Sequence, residues 1–505
     1  MVTAVAAMCT MYSCRDASDD ILSYGQNDNL AFAEAGQSFE GQFKAIWTAL
    51  NCNYGIWDYE VEHGLDWDEV YDTYLPKMQE LDKRDKDSNP VKDLELAKLY
   101  KDIVGPLHDG HFVLQVMNLH SGEHLFISPS QIRNLTRPDY DIKSVPPMDF
   151  YRSDGAGENK VTDYADVSVK PSSYIQMELD KAISQLDLLI AELEGKDVRT
   201  DLDDYFLDKY MEARNEFKTA LEEGIETDEY NSVLASKYDY LGINLNTFDI
   251  SKKDEYIDVK YAVFNDNIVY FGFTGFFLSP YFSGEISGSP GNDYYANLIK
   301  QAWEKWYVKV QGLHQTGKLK GVIIDVRNNG GGNTSDYQFV LGALLPPDGH
   351  QIASARFKTG IGRYDYSPLT PVVVPTLSLR HETITEPVVV LANCHSVSMA
   401  EVTCLGAKQM ANARVIGTRT WGGMCMLMPD PSAYSYTYAS AVGVRDETPF
   451  WAYIPSSVTM TDGNSILEGV GVTPDIEVQL DKNLLQSTGR DTQLERALQY
   501  IRTGN

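Results

Sequence analysis

Pro387-Val-Val-Val-Leu-Ala-Asn-Cys-His-Ser-Val-Ser-Met-Ala-Glu401 is the stretch on which the fold turns. Its apolar run, Val388 to Ala392, is unbroken, as in a strand buried on both faces. The run stops at Asn393, and a helix-compatible segment begins near Ser398 and extends to about Met410. A small hydroxyl residue therefore stands where a strand gives way to a helix N-terminus. The first N–H groups of a helix lack intrahelical acceptors, and the dipole there favours negative charge. A serine so placed can have its oxyanion stabilised by the backbone itself. The plainer reading is an N-cap, because Ser398-x-x-Glu401 also fits a capping box.

The pattern repeats outward from this stretch. Gly321-Val-Ile-Ile-Asp-Val326 reads as a second buried strand and breaks into Arg327-Asn-Asn-Gly330-Gly331-Gly332. Asn333 or Thr334 can cap a helix expected to run through Leu345. Arg414-Val-Ile-Gly417 follows as another strand. Upstream lie strands at Tyr256–Tyr261 and Ile268–Phe273 and a helix at about 293–313. Such alternation means a parallel α/β core, assigned to 255–505, whose sites lie beyond the carboxyl ends of the strands. Ser398 and the triple glycine both fall at such ends. The glycines lack the Gly-Lys-Ser/Thr ending of a phosphate-binding loop. They remain either a flexible turn or a backbone surface that presents N–H groups where a Cβ would obstruct.

Residues 38–118 read as a helical cap. Phe39, Phe43, Ile46, Trp47 and Leu50 share one helix face; Asp66 caps a helix from Trp67 to Leu75, which Pro76 is expected to kink; a third helix follows Pro90 and stops near Gly105-Pro106. Then Leu107-His-Asp-Gly-His111 makes a tight turn into a strand, Phe112 to Val116. A lone histidine at such a junction is usually structural. Residues 119–254 read as strands and loops with a helical hairpin over 173–223.

The net charge of −29 over 505 residues argues against a nucleic-acid partner. Residues 1–13 carry no charge, and Val2 to Met8 are apolar or small; Tyr12-Ser-Cys14 and a polar tether follow. This resembles a bacterial lipoprotein signal without its usual basic start, and implies lipidation of Cys14, a membrane anchor and a cell-envelope location, periplasmic or at the outer surface. Residues 1–37 are read as that signal and leash. No spacing of cysteine and histidine points to zinc, and no cofactor is expected. A disulfide among Cys394, Cys404 and Cys425 stays open.

Four segments together resemble the tail-specific, or C-terminal processing, serine peptidases. They are Asp325-Val-Arg-Asn-Asn-Gly-Gly-Gly, Ser396-Val-Ser398-Met-Ala-Glu401, Val415-Ile-Gly-Thr-Arg-Thr-Trp-Gly-Gly423 and Gly469-Val-Gly-Val-Thr-Pro-Asp. The resemblance implies a core of the crotonase/ClpP-like type and peptides or unfolded proteins as substrates. It implies two catalytic arrangements. In one, serine pairs with a lysine after the Thr-x-Gly motif, a position held here by Gly423. Lys408 is no substitute, roughly 15 Å further along the same helix at 1.5 Å per residue. In the tricorn-like branch a histidine from a Leu-x-x-x-His segment activates the serine, and a glutamate orients it. This implies Ser398 as nucleophile, His111 as base and Glu468 as imidazole partner. The oxyanion falls to the N–H of Met399 and of Gly330 or Gly331. His108 and His395 are rival bases, and Asp475 reads as structural. No PDZ module is visible. A catalytically inactive peptide-binding protein and a different hydrolase are the alternatives; the absence of a Gly-x-Ser-x-Gly elbow speaks against an esterase.

Overall fold

The computed structural model describes residues 34–141, 159–167, 171–223, 237–238, 241, 257–283, 294–359, 362–378, 381–425, 441–455, 457–461 and 465–505. The leader and Cys14 lie outside the described residues. The chain divides into two compact units: 1–164, 262–276 and 306–505 form one, and 165–261 with 277–305 form the other.

The cap is built from four helices: α1 (Phe39–Asn53), α2 (Trp57–Glu62), α3 (Trp67–Asp82) and α4 (Asp93–Val104). Ser38 caps α1 by accepting from Gly41 N at 2.9 Å, and Asp66 caps α3 by accepting from Asp68 N and Glu69 N. α3 does not end near Pro76 but continues to Asp82, because Met78 and Leu81 beyond the proline are buried. Burial of that face outweighs the N–H lost at one proline. The cap core also takes in strands β1 (Val113–Met117) and β2 (His124–Ile127), which precede α5 (Pro129–Thr136).

After β3 (Val161–Val167), helices α6 (Pro171–Glu194) and α7 (Asp201–Glu223) form the expected hairpin. Leu179, Leu186, Ala213 and Phe217 fill its seam. There follow β4 (Val259–Phe264), β5 (Ile268–Phe273), α8 (Tyr294–Gln315), β6 (Gly321–Asp325), β7 (His350–Phe357), β8 (Thr370–Val374) and β9 (Val388–Ala392). Then come α9 (Met399–Lys408), β10 (Ala413–Gly417), β11 (Ala441–Val442), β12 (Phe450–Tyr453), β13 (Ser457–Met460), β14 (Ile476–Glu477) and, close to the C-terminus, α10 (Thr492–Thr503).

The central sheet has the order β14-β10-β9-β6-β5-β4-β3. Its pairs from β5 through β6, β9 and β10 to β14 are parallel. This is the α/β core read from the alternation. All five residues of β6 and of β9 are buried, which accounts for their unbroken apolar runs. Leu494, Ala497, Leu498 and Ile501 of α10 pack on Ile323, Val389, Leu391 and Ile416. Arg327, just past β6, is buried with Asp325 and Asp491 and ties the start of α10 to that strand end. A four-stranded sheet, β11-β12-β1-β2, joins the cap core, and β13-β7-β8 forms a third.

The helix expected from Asn333 to Leu345 is instead two 3₁₀ turns, Thr334–Phe339 and Leu341–Leu344. Asn333 caps the first, accepting from Ser335 N at 3.0 Å. Val340 between them leaves helical space at φ −115°, ψ −105°. Gly342 lies so close to Pro375 that an added Cβ would sit 2.8 Å from its carbonyl oxygen. Packing against the following segment thus overrides local helix propensity.

Candidate active site

Ser398 precedes α9 at φ 56° and ψ −117°. An ordinary N-cap is extended, so this is a strained conformation that persists only where its surroundings impose it. Several bonds do so. Ser396 Oγ donates to Val326 O at 2.7 Å and accepts from Asn393 N at 3.0 Å. Asn393 Oδ1 accepts from His395 N and from Asn328 N, both at 3.0 Å. Val397 N donates to Asn329 O at 2.9 Å. The turns after β6 and β9, which are neighbours in the sheet, are thereby laced together. Gly331 closes the contact: at φ 87°, a Cβ there would stand 2.5 Å from Ser398 Cβ and 3.0 Å from Met399 N. Only glycine fits.

Met399 opens α9, so its N–H has no acceptor within the helix. The two glycine donors expected to complete an oxyanion site are engaged in this state. Gly330 N donates to Thr274 O at 3.2 Å, and Gly331 N donates to Asn329 Oδ1 at 2.9 Å. Asn329 forms an Asx turn across the glycines, a local competition that asparagine commonly wins.

Two buried glutamates organise the segment facing Ser398. Glu401 accepts from Ser398 N at 3.2 Å, Gly422 N at 2.8 Å, Gly423 N at 2.8 Å and Thr420 Oγ1 at 2.5 Å. Glu468 accepts from Gly110 N at 2.7 Å, Met424 N at 2.5 Å and Cys425 N at 2.6 Å. Four successive N–H groups, from Gly422 to Cys425, thus end on two carboxylates. Burial raises the pKa of both acids; Asp109 raises that of Glu468 further, and the hydrogen bonds oppose the rise.

The same segment receives the turn that carries His111. A Cβ on Gly110 would overlap Gly422 O and Gly423 Cα, and one on Gly423 would lie 3.3 Å from Gly110. Gly423 O in turn accepts from Ser398 N at 3.1 Å. Gly423, the position that the resemblance gives to lysine in the other arrangement, thus stands in close contact with the histidine turn.

Within that turn, Asp109 Oδ1 accepts from His111 N at 2.7 Å and Phe112 N at 3.0 Å. Glu60, fully buried, accepts from Tyr54 Oη at 2.5 Å and His108 N at 2.7 Å and pairs with His108 Nδ1 at 2.7 Å. Arg133 binds the carbonyls of Leu107 and His108. Among the described residues, His111 Nδ1 and Asp109 Oδ2 are buried and have no hydrogen-bond partner. Burial lowers the His111 pKa to about 4 and raises that of Asp109 to about 7.

Ser398, His111, Glu468, Met399, Gly330 and Gly331 thus belong to segments that meet around one loop, but the expected hydrogen bonds are not all made. Neither a Ser398–His111 nor a His111–Glu468 hydrogen bond forms. Glu468 reaches the N–H of Gly110, one residue before the histidine, and its other oxygen accepts from Met424 N and Cys425 N. Among the rivals, His395 is held by Asp141 O at 2.6 Å and His108 by Glu60. Asp475 accepts from Val415 N and Lys408 Nζ, as a structural residue would. Cys394, Cys404 and Cys425 are unpaired. Asp109, Asn329 and Glu60 were not singled out from sequence. The first two could have been: aspartate or asparagine at the start of a glycine turn favours Asx bonding to N–H groups two residues on.

Residues 295–478 match the model of Peptidase family S41, which bears out the recognition made from the four motifs. The tricorn protease of Thermoplasma acidophilum is 27% identical over 182 residues, covering 36% of this chain and 14% of that protein. The carboxy-terminal-processing protease of Bartonella bacilliformis is 28% identical over 170 residues, covering 34% of this chain and 33% of that one. The match therefore spans a third or less of these curated relatives. A solved structure from Parabacteroides merdae covers 93% of this chain and 98% of its own at 18% identity and a TM-score of 0.49. The photosystem II D1 C-terminal processing protease covers 90% and 96% at 14% identity and a TM-score of 0.35.

Proposed function

We propose that this chain, whose residues 295–478 carry a Peptidase family S41 core, is a serine endopeptidase acting on peptides or unfolded proteins. The observation that carries the reading is Ser398, held at φ 56° at a strand end against the glycine turn and joined through Gly423 to the turn that bears His111. In the proposed reaction Ser398 Oγ attacks the peptide carbonyl while its proton passes to His111 Nε2. The C–N bond breaks as that proton goes to the departing amine, leaving an acyl-enzyme. Water, deprotonated by the same imidazole, releases the acid and restores the serine. Met399 N–H faces the oxyanion, joined by Gly331 N–H once Asn329 turns away. Glu468 supports the arrangement by fixing Gly110 and the facing loop.

The test is a fluorophosphonate probe and an unfolded protein substrate, applied to the wild type and Ser398→Ala. Labelling and cleavage by the wild type alone are expected; equal behaviour of the two proteins rejects Ser398 as nucleophile. A second reading, an inactive peptide-binding protein, draws on the missing Ser398–His111 bond and the engaged Gly331 N–H. It predicts peptide binding without turnover. A lipid-anchored envelope enzyme is proposed alongside from the Cys14 leader. Radiolabelled fatty acid incorporated by the wild type and not by Cys14→Ser would support it, and equal incorporation would reject it.

A further inference from the structure

We propose that Asp109, rather than Glu468, is the carboxylate that accepts the hydrogen bond of His111 Nδ1–H and holds the imidazole in its working tautomer. This rests on the serine-peptidase reading and names a positioning residue for it. Two buried polar atoms without partners occur in one three-residue turn: an imidazole nitrogen, His111 Nδ1, and a carboxylate oxygen, Asp109 Oδ2. Each alone carries the cost of an unsatisfied buried group. They are complementary, and the same carboxylate already grips the His111 main-chain N–H at 2.7 Å through Oδ1. The pairing requires the His111 side chain to rotate, or one water to bridge, so that Nδ1 meets Oδ2 while Oδ1 keeps its bonds to His111 N and Phe112 N.

Glu468 is poorly placed for that task. Its oxygens carry three short bonds from Gly110, Met424 and Cys425. Turning it to the imidazole would strand buried N–H groups. The other groups around Asp109 leave Oδ2 uncommitted: Tyr54 Oη accepts from Asp109 N, Glu60 is taken up by Tyr54 and His108, and Arg133 is bound to the carbonyls of Leu107 and His108. Of the charges that act on it, Glu60 favours the protonated acid and Arg133 the ionised one. A cationic imidazole formed during attack adds to the second effect.

The discriminating variant is Asp109→Asn. Its carboxamide oxygen still accepts from His111 N and Phe112 N, but its NH₂ cannot accept from Nδ1. The experiment measures kcat, KM and the pH dependence of kcat/KM on an unfolded fluorogenic protein for the wild type, Asp109→Asn and Glu468→Gln. Melting temperatures are taken alongside, with Asp109→Ala as a folding control. An imidazole paired with Asp109 has its acid limb at or above the ordinary histidine value of about 6.5; an unpaired one has it near the value of about 4 that burial imposes. Asp109→Asn is expected to lower kcat roughly a hundredfold with KM changed less than about threefold. Its limb should move toward acid while its melting temperature does not fall below the wild type's. Asp109→Ala should also melt earlier, since it loses the turn bonds. Glu468→Gln should lose thermal stability and keep its limb. A limb that moves with Glu468→Gln and not with Asp109→Asn overturns the proposal, as does Asp109→Asn with unchanged kcat. A wild type that the fluorophosphonate does not label overturns both this and the peptidase reading.

Discussion

The two turns that bring Ser398 and His111 to the same loop are built on opposite terms. The serine turn is strained and held by many hydrogen bonds. Its side chains lace the ends of β6 and β9 together, and Ser398 is fixed at a positive φ by Gly331 and Glu401. The histidine turn has a relaxed backbone, well anchored by Asp109, Glu60 and Arg133, yet two of its buried polar atoms, His111 Nδ1 and Asp109 Oδ2, lack partners among the described residues. Strain held by such a lattice of hydrogen bonds means a nucleophile set before substrate arrives. Relaxed backbone with unmet polar groups means a base whose last alignment is left to substrate binding, which fits the open Ser398–His111 pair.

The contrast can be broken most severely at the contact between the turns. Gly110→Ala puts a Cβ into Gly422 and Gly423. It should cost about 3 kcal/mol of stability, the upper range for overpacking, and abolish probe labelling, because the histidine turn is levered off the loop. Urea unfolding and labelling check this; a variant of wild-type stability and activity would show that the backbone contact does not couple the turns. Glu401→Gln comes next. An amide cannot offer acceptors to Ser398, Gly422, Gly423 and Thr420 together, so one buried N–H faces NH₂. A loss of about 1–3 kcal/mol is expected, read by denaturant midpoint, with a fall in labelling rate if the serine turn depends on that clamp.

Ser398→Gly has a smaller effect of opposite sign. Glycine accepts φ 56° freely, so stability should rise by about 1 kcal/mol as activity vanishes. A destabilised glycine variant would mean that the serine turn is not strained. The last effect concerns pH. Burial holds the Asp109 pKa at about 7, above its unfolded value. Its contribution to stability is therefore present at about pH 4 and is lost as pH rises toward 7. Relative to Asp109→Asn, the wild type should lose stability between pH 4.5 and 7.5 in urea titrations, conditions chosen to bracket that interval. A gap that widens in the other direction would place an ionised Asp109 in the resting fold.

The legibility of the sequence follows the same division. β6 and β9 were readable because strands buried on both faces cannot hide their apolar runs, and Ser398 because it stands at the end of one. The role of Glu401 as support for the serine turn followed from its spacing of three residues. Glu468 and His111 were reachable only through resemblance, because they lie 70 and 287 positions from Ser398 (468 − 398 and 398 − 111). No local rule says which backbone donors a distant carboxylate will meet. That is why Glu468 was expected on the imidazole and lies on Gly110 N instead. The helix after the triple glycine failed for the related reason that Gly342 answers to Pro375, not to its neighbours.

The backbone contact of Gly110 with Gly423 also bears on how such a site can change over generations. The contact is asymmetric: a Cβ on Gly110 would overlap Gly422 O and Gly423 Cα, whereas one on Gly423 would meet Gly110 at 3.3 Å and need it to yield only slightly. Added volume is therefore tolerated on one side of the junction and not on the other, and Gly110 is the residue that sets how closely the two turns approach.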